Sequence, residues 1–338
     1  MFKLHSHNTN RLQGVKPLLA LTNDSFWRGI FGPFFAFCFP IIFIAILGTM
    51  IGYDSILGGS LGISAMAISL TSMPQAIFEF KKSSLLKRIG ATPVKPYMFL
   101  LVTGCFYFVI MFLSVIWCII FSLLIFGIPY WNEGKVISST FLPLQGGGFS
   151  SLLALPFKDV LANVDWLGLI WGQLMAILIG ASCGMFLVSI SKSTVMLQAI
   201  GVTILIISQF LSAQVLPPAM VRDIDGLWYA SYILSPFKSS TTMIFESWNG
   251  ELIANATAQQ LAIPVFGEDG TTILHYVPNL FKTNIFNVEQ GYWYYNTKGT
   301  GSLEILSIAE KYAIFFIPFL WMFIFGSISY WKFKWTSR

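Results

Sequence analysis

The sequence predicts an all-α polytopic membrane protein with six transmembrane helices, and three observations carry that prediction. Of its 338 residues 55% are hydrophobic and 10% charged, against roughly a quarter charged in soluble domains. The apolar residues gather in six blocks, each near or above the ~20 residues that a helix needs to cross a bilayer. Lys and Arg then concentrate in alternate loops, the asymmetry by which membrane topology is set.

In chain order the blocks are residues 31–53, 56–78, 97–128, 166–190, 195–216 and 312–331. The third exceeds one span and must tilt or project. Ahead of the first, residues 15–30 alternate Leu18, Leu19, Leu21, Phe26 and Trp27 with Lys16, Asn23, Asp24 and Arg28. That pattern suits a helix lying at the membrane interface, so residues 1–30 read as a cytoplasmic tail ending in an interfacial helix. Spans one to three fill residues 31–128, with a basic cytoplasmic loop at 79–96. An external loop, 129–165, holds Gly146-Gly147-Gly148 and leads to spans four and five at 166–216.

Residues 217–311 form a long external region. Within it, 227–248 is apolar and aromatic but broken by Pro236, and it reads as a re-entrant segment dipping into the outer leaflet. Residues 250–302 are polar with short β-branched and aromatic runs, which predict a small external α+β insertion. Span six and a second cytoplasmic tail complete the chain at 312–338.

The side predicted as cytoplasmic holds thirteen basic residues against two acidic ones, Asp24 and Glu79. The other holds seven basic residues, Lys238 among them, and thirteen acidic. Both termini are therefore expected inside, in a multi-pass protein of the plasma membrane. The net charge of +5 follows from this topology and gives no reason to expect nucleic acid as a partner. Cys38, Cys105, Cys118 and Cys183 all lie in spans, with neither a disulfide framework nor metal-ligand spacing. The first apolar block begins late for a secretory signal and is read as a retained helix.

Span four carries Gly168, Gly172, Ala176, Gly180 and Gly184 at four-residue spacing, a ridge that lets another backbone approach closely. Packing within the chain is the first expectation for it, a subunit interface the second. Gly58 and Gly62 give span two a shorter version. Span five places Gly201, Ser208 and Ser212 on one face, with Gln198, Gln209 and Gln214 elsewhere. Such groups bond neighbouring helices or line a pathway or dimer seam. No acidic or basic residue lies well inside any span, which argues against an ion-coupled carrier.

Enzymatic motifs are missing. His5, His7 and His275 form no zinc-binding pair, and Lys192-Ser193-Thr194 lacks the glycine-rich loop of a nucleotide site. No catalytic residue, metal site or cofactor is expected in this chain.

Several segments in order resemble the type-2 ABC transporter permeases, the membrane subunits of ATP-driven exporters. They are the interfacial segment running into Phe39-Pro40, and the loop Glu79-Phe-Lys-Lys-Ser-Ser-Leu-Leu-Lys-Arg-Ile-Gly-Ala-Thr-Pro93. Phe210-Leu-Ser-Ala213 followed by Pro217-Pro218, and Leu234-Ser-Pro-Phe237, complete the likeness. Ala213 stands where the family usually has Gly, and the two external insertions are larger than in compact members. The resemblance implies that Glu79, Lys82, Leu85, Leu86, Lys87, Arg88, Ile89 and Gly90 form a coupling helix on a separate ABC ATPase subunit. ATP and Mg²⁺ would sit on that subunit. A second permease copy, identical or not, would complete the pathway, with spans one and five near the seam. The implied function is outward movement of an amphipathic, drug-like or lipid-linked substrate by alternating access. A polysaccharide exporter is the alternative within the family. Outside it stand a membrane scaffold acting through the external region and, less favoured, a polytopic enzyme.

Overall fold

A computed structural model describes residues 15–49, 53–82, 96–134, 136–143, 149–153, 156–162, 164–212, 214, 226–255, 262–266, 273–278, 286–287, 292–293 and 308–332. It is a helical bundle. Among the described residues five helices are long and apolar enough to cross a membrane, and a bent pair near the N-terminus, taken as one span, raises the number to six. The chain is thus a multi-pass membrane protein.

That bent pair is α1, Val15–Arg28, and α2, Phe31–Leu47, which meet at 81°. Leu18, Thr22 and Phe26 recur every fourth residue and are buried, while Trp27 and Ile30 remain exposed. The bend is tight. A β-carbon on Gly32 would lie 2.8 Å from the Phe26 carbonyl oxygen, so only glycine fits where α2 turns under α1.

The second span, α3, runs through Tyr53–Ala67, a π-turn at Ile68–Ser72, and Met73–Lys82. It is buried almost throughout and forms the centre of the bundle. The third, α4, is Pro96–Ser122 extended by a π-turn at Leu123–Gly127. The short α5, Phe157–Ala162, leads into α6, Trp166–Ile190, where Asp165 caps the helix by accepting from the Leu167 and Gly168 amides. Ser193 does the same for α7, Thr194–Leu211, accepting from the Met196 amide at 3.1 Å. Capping accounts for this serine of Lys192-Ser193-Thr194.

After α7 come α8, Leu227–Leu234, and α9, Lys238–Asn255, separated by the Ser235-Pro236 break. The last span, α10, is Ile308–Lys332.

Side-chain pairings give the direction of every span. Phe37 meets Trp117, and a β-carbon on Gly48 would strike Phe126, so α2 runs parallel to α4. Phe80 meets Phe99 while Tyr53 meets Phe126, so α3 runs opposite to α4. Gly180 faces Ser69 and Gly184 faces Pro74, so α6 runs with α3. Trp171–Phe315 and Phe186–Phe325 set α10 alongside α6. Alternation gathers Arg28, Lys82, Lys192 and Lys332 at one end of the bundle, here the basic end.

Two π-turns have one cause. Phe34–Cys38 precedes Pro40 and Ile68–Ser72 precedes Pro74. A proline offers no N–H to the carbonyl four residues back and crowds it, and a widened turn relieves that crowding. The carbonyls concerned are then used between spans. Ala36 accepts from Ser114 Oγ, and the Leu70 carbonyl lies so close to Gly201 that any β-carbon there would collide with it.

Several expectations need correction. Tyr53 opens α3 and does not close the first span, and α7 ends at Leu211, short of residue 216, because the chain turns back there to place Gln214 inside the bundle. The external α+β insertion is not supported. Outside the helices the described residues hold only separate two-stranded pairs, such as Ala262–Phe266 with Ile273–Pro278, too little to bury a core of their own.

Candidate functional site

The glycine ridge of α6 packs within the chain. A β-carbon on Gly172 would lie 2.8 Å from Ile244 Cγ1, and one on Gly168 would strike Ser247 Oγ, both on α9. Farther along, Gly180 and Gly184 abut Ser69 of α3, and Ala176, between Gly172 and Gly180, is buried. On α3, Gly58 and Gly62 take the other side of α9, facing Trp248 and Thr241. Thus α9 is wedged between α6 and α3 over much of its length. A helix of this polarity, with Ser239, Ser240, Thr241, Thr242 and Ser247 all buried, can lie there because its hydroxyls return to its own carbonyls. Thr241 donates to Phe237, Thr242 to Lys238 and Ser247 to Met243.

The residues singled out on span five separate into two groups. Gln198 lies towards the basic end, where its Nε2 donates to Gln75 Oε1 at 3.2 Å, and Gln75 donates to Glu79 Oε1 at 2.8 Å. This ladder ties α7 to the last turn of α3, beside exposed Lys82. Lys82 Nζ itself rests 4.8 Å from the centre of the Phe78 ring. Leu85, Leu86, Lys87, Arg88, Ile89 and Gly90 lie outside the described residues.

Ser208, Gln209 and Ser212 belong to the other group, at the far end of α7. Ser212 Oγ is 3.1 Å from Ser235 Oγ in the helix break. The Gln214 amide donates back to the Gln209 carbonyl, and its side chain reaches across Gly62 to Thr241 Oγ1 at 3.4 Å. These two bridges bring the last turn of α7 against the first turn of α9. Several polar atoms there are buried without a hydrogen bond, namely Ser208 Oγ, Gln209 Nε2, Gln214 Oε1 and Ser239 Oγ. Each such atom costs about 1–3 kcal/mol, so their clustering needs a reason.

Beside them lies a residue the sequence reading placed outside the membrane. Lys238 is fully buried, with Nζ 5.6 Å from the centre of the Tyr232 ring. Its neighbour Phe237 packs with Met66, Ile179, Cys183 and Leu205, all near the middle of their spans. Lys238 therefore stands about half-way along α6, and an ionisable residue does lie at mid-depth, on an inserted helix and not on a span. A sequence signal existed. Pro236-Phe237-Lys238-Ser239-Ser240-Thr241-Thr242 opens a helix whose hydroxyls need no water, while Gly58, Gly62, Gly168 and Gly172 leave room for one.

Compared with protein-family models, curated proteins and solved structures, the chain matches none.

Proposed function

We propose that this chain is the membrane subunit of an ATP-driven exporter of the type-2 ABC permease kind. It moves an amphipathic or lipid-linked substrate away from the basic end, driven by a separate ATPase subunit that carries ATP and Mg²⁺. One observation carries the reading. A single helix, α7, is tied at one end to Glu79 through Gln75 and Gln198, and at the other meets the polar junction with α9. Force applied to the Glu79–Gly90 segment thus has a direct route to a buried polar site at mid-depth.

The docked interfacial helix α1 and the broken α8–α9 pair between spans five and six also agree with it. In this reading the basic end is cytoplasmic, which the charge asymmetry supports, and the membrane is the plasma membrane. A second copy packs on the exposed apolar faces of α2 and α7, which include Phe34, Ile42, Val202 and Ile206. Closure of the ATPase rocks α7 against the body formed by α3, α6 and α9 and alternately opens the junction to either side.

The test is a Leu86→Asp, Ile89→Asp double variant, measured by ATPase co-purification and substrate-stimulated ATP hydrolysis in reconstituted membranes. The expected outcome is loss of both with normal membrane insertion. Wild-type values for both would remove the coupling role and leave the segment a topological anchor.

A further inference from the structure

One point on α7 is held differently from the rest of it. Gly201 lies with its α-carbon against the Leu70 carbonyl of α3, so close that a β-carbon would collide with the oxygen and stand 3.4 Å from the carbonyl carbon. That carbonyl belongs to the π-turn Ile68–Ser72, which precedes Pro74. A π-turn takes its carbonyls out of the regular ladder, and only glycine leaves room to receive this one. The π-turn is itself fixed. Ser69 is pressed on Gly180 and Gly184 of α6, and Ser72 Oγ donates to the Phe31 carbonyl of α2 at 3.3 Å.

Away from this point the hold on α7 weakens. Against α3 the helix rests chiefly on the π-turn and on Met73–Lys82, and less on Tyr53–Ala67. Its far end is closed by the Ser212–Ser235 pair and by the 3.4 Å bond from Gln214 to Thr241. Ser208 Oγ and Gln209 Nε2 are buried without hydrogen bonds, so closure leaves polar groups unsatisfied, and opening would let water reach them. Between Gly201 and Leu211 there is no glycine or proline, the residues at which helices most often kink. That segment moves as a rod. A single backbone contact has no interlocked ridges, so a rod can turn about it.

We propose that Gly201 on the Leu70 carbonyl is the fulcrum of α7, about which its far end swings away from the Ser235-Pro236 break and back. Gln198, bonded to Gln75, stands three residues to one side of Gly201, ~4.5 Å along the axis. Ser212 stands eleven residues to the other side, ~16 Å away. A displacement at Gln198 is therefore magnified about 3.5-fold at the junction. This deepens the exporter reading by locating where its moving helix turns, and the lever can be measured without any ATPase.

The test is labelling by N-ethylmaleimide in phosphatidylcholine vesicles. Cys38 and Cys105, both exposed, are changed to serine, while buried Cys118 and Cys183 remain and report opening of the whole bundle. A cysteine is placed in turn at Leu197, Leu205 and Ser208, all buried on the inner face of α7. Rates relative to Cys183 are expected to rise from Leu197→Cys through Leu205→Cys to Ser208→Cys, about tenfold in all, as for openings that differ by ~1.4 kcal/mol. Gly201→Ala lifts α7 off the Leu70 carbonyl and should bring Leu197→Cys up to the rate of Ser208→Cys while Cys183 stays slow. Gly104→Ala, where a β-carbon meets nothing within 4 Å, should leave the order unchanged. Equal rates at the three sites overturn the proposal, and so does fast labelling confined to Ser208→Cys, which is fraying of the last turn. A gradient that survives Gly201→Ala overturns it as well. So does a rise shared equally by Cys183, which would make Gly201 a packing residue only. If Gly201→Ala does not fold, the order of the three sites decides. With that order present and ATPase co-purification absent, the exporter is rejected and the fulcrum stands.

Discussion

Two contacts near α9, one with α6 and one with α7, are built by opposite means. Towards α6 the contact is backbone against side chain, with Gly168 and Gly172 pressed on Ser247 and Ile244 and no room for a β-carbon. Towards α7 it is side chain against side chain, through Ser212–Ser235 and Gln214–Thr241, with neighbouring polar atoms left unbonded. A seam without gaps resists separation because every contact is lost at once. A seam held by two hydrogen bonds, each worth about 1 kcal/mol, parts readily and has groups to offer when it does. In this comparison α6, α3 and α9 form the fixed body, and α7 the element that moves against it.

The sharpest way to break the comparison is to overfill the first seam. Gly172→Leu should cost about 3 kcal/mol, since the Ile244 backbone as well as its side chain stands in the way. Gly104→Leu is the control, because a β-carbon there meets nothing within 4 Å, and its effect should stay within about 0.5 kcal/mol. Yield and thermal stability in detergent provide both numbers. Equal behaviour of the two variants would mean that the ridge does not hold the bundle.

The second seam predicts the reverse. Gln214→Leu gives up one long hydrogen bond and a buried oxygen that has no partner. Unfolding of the variant in detergent should shift by less than about 1 kcal/mol, in either direction. A loss as large as that of Gly172→Leu would make this seam a structural clamp and remove the distinction.

How far the sequence could be read depended on what each signal measures. The ends of α6 were legible because Asp165 and Ser193 cap helices on either side of a short turn, and the apolar run agrees with both. The bend before the first span was legible in the change from an amphipathic to a uniformly apolar pattern. The depth of Lys238 was not. An apolar-run test scores a segment by its transfer from water to lipid, whereas α9 lies against protein, where glycine clearance and hydroxyl-to-carbonyl bonds decide. For the same reason the set Gln198, Ser208, Gln209 and Ser212 looked like one group on span five. Only the partners on α3, α8 and α9 divide it.

The length of α7 has a consequence for the membrane itself. Its 18 residues rise about 27 Å at 1.5 Å each, short of a hydrocarbon core ~30 Å thick. The neighbouring α6 has 25 residues and faces no such shortage. Lipid beside α7 must compress to meet it, at a fraction of a kcal/mol per Å, and the dimple falls on the flank where Ile206 and Phe210 are exposed. Headgroups there are carried inward, towards the level of Ser212. Thermal unfolding in nanodiscs of shorter-chain phosphatidylcholine should therefore occur at a slightly higher temperature than in longer-chain discs. The bilayer, by yielding beside this short helix, shortens the path to the polar junction that the same helix helps to enclose.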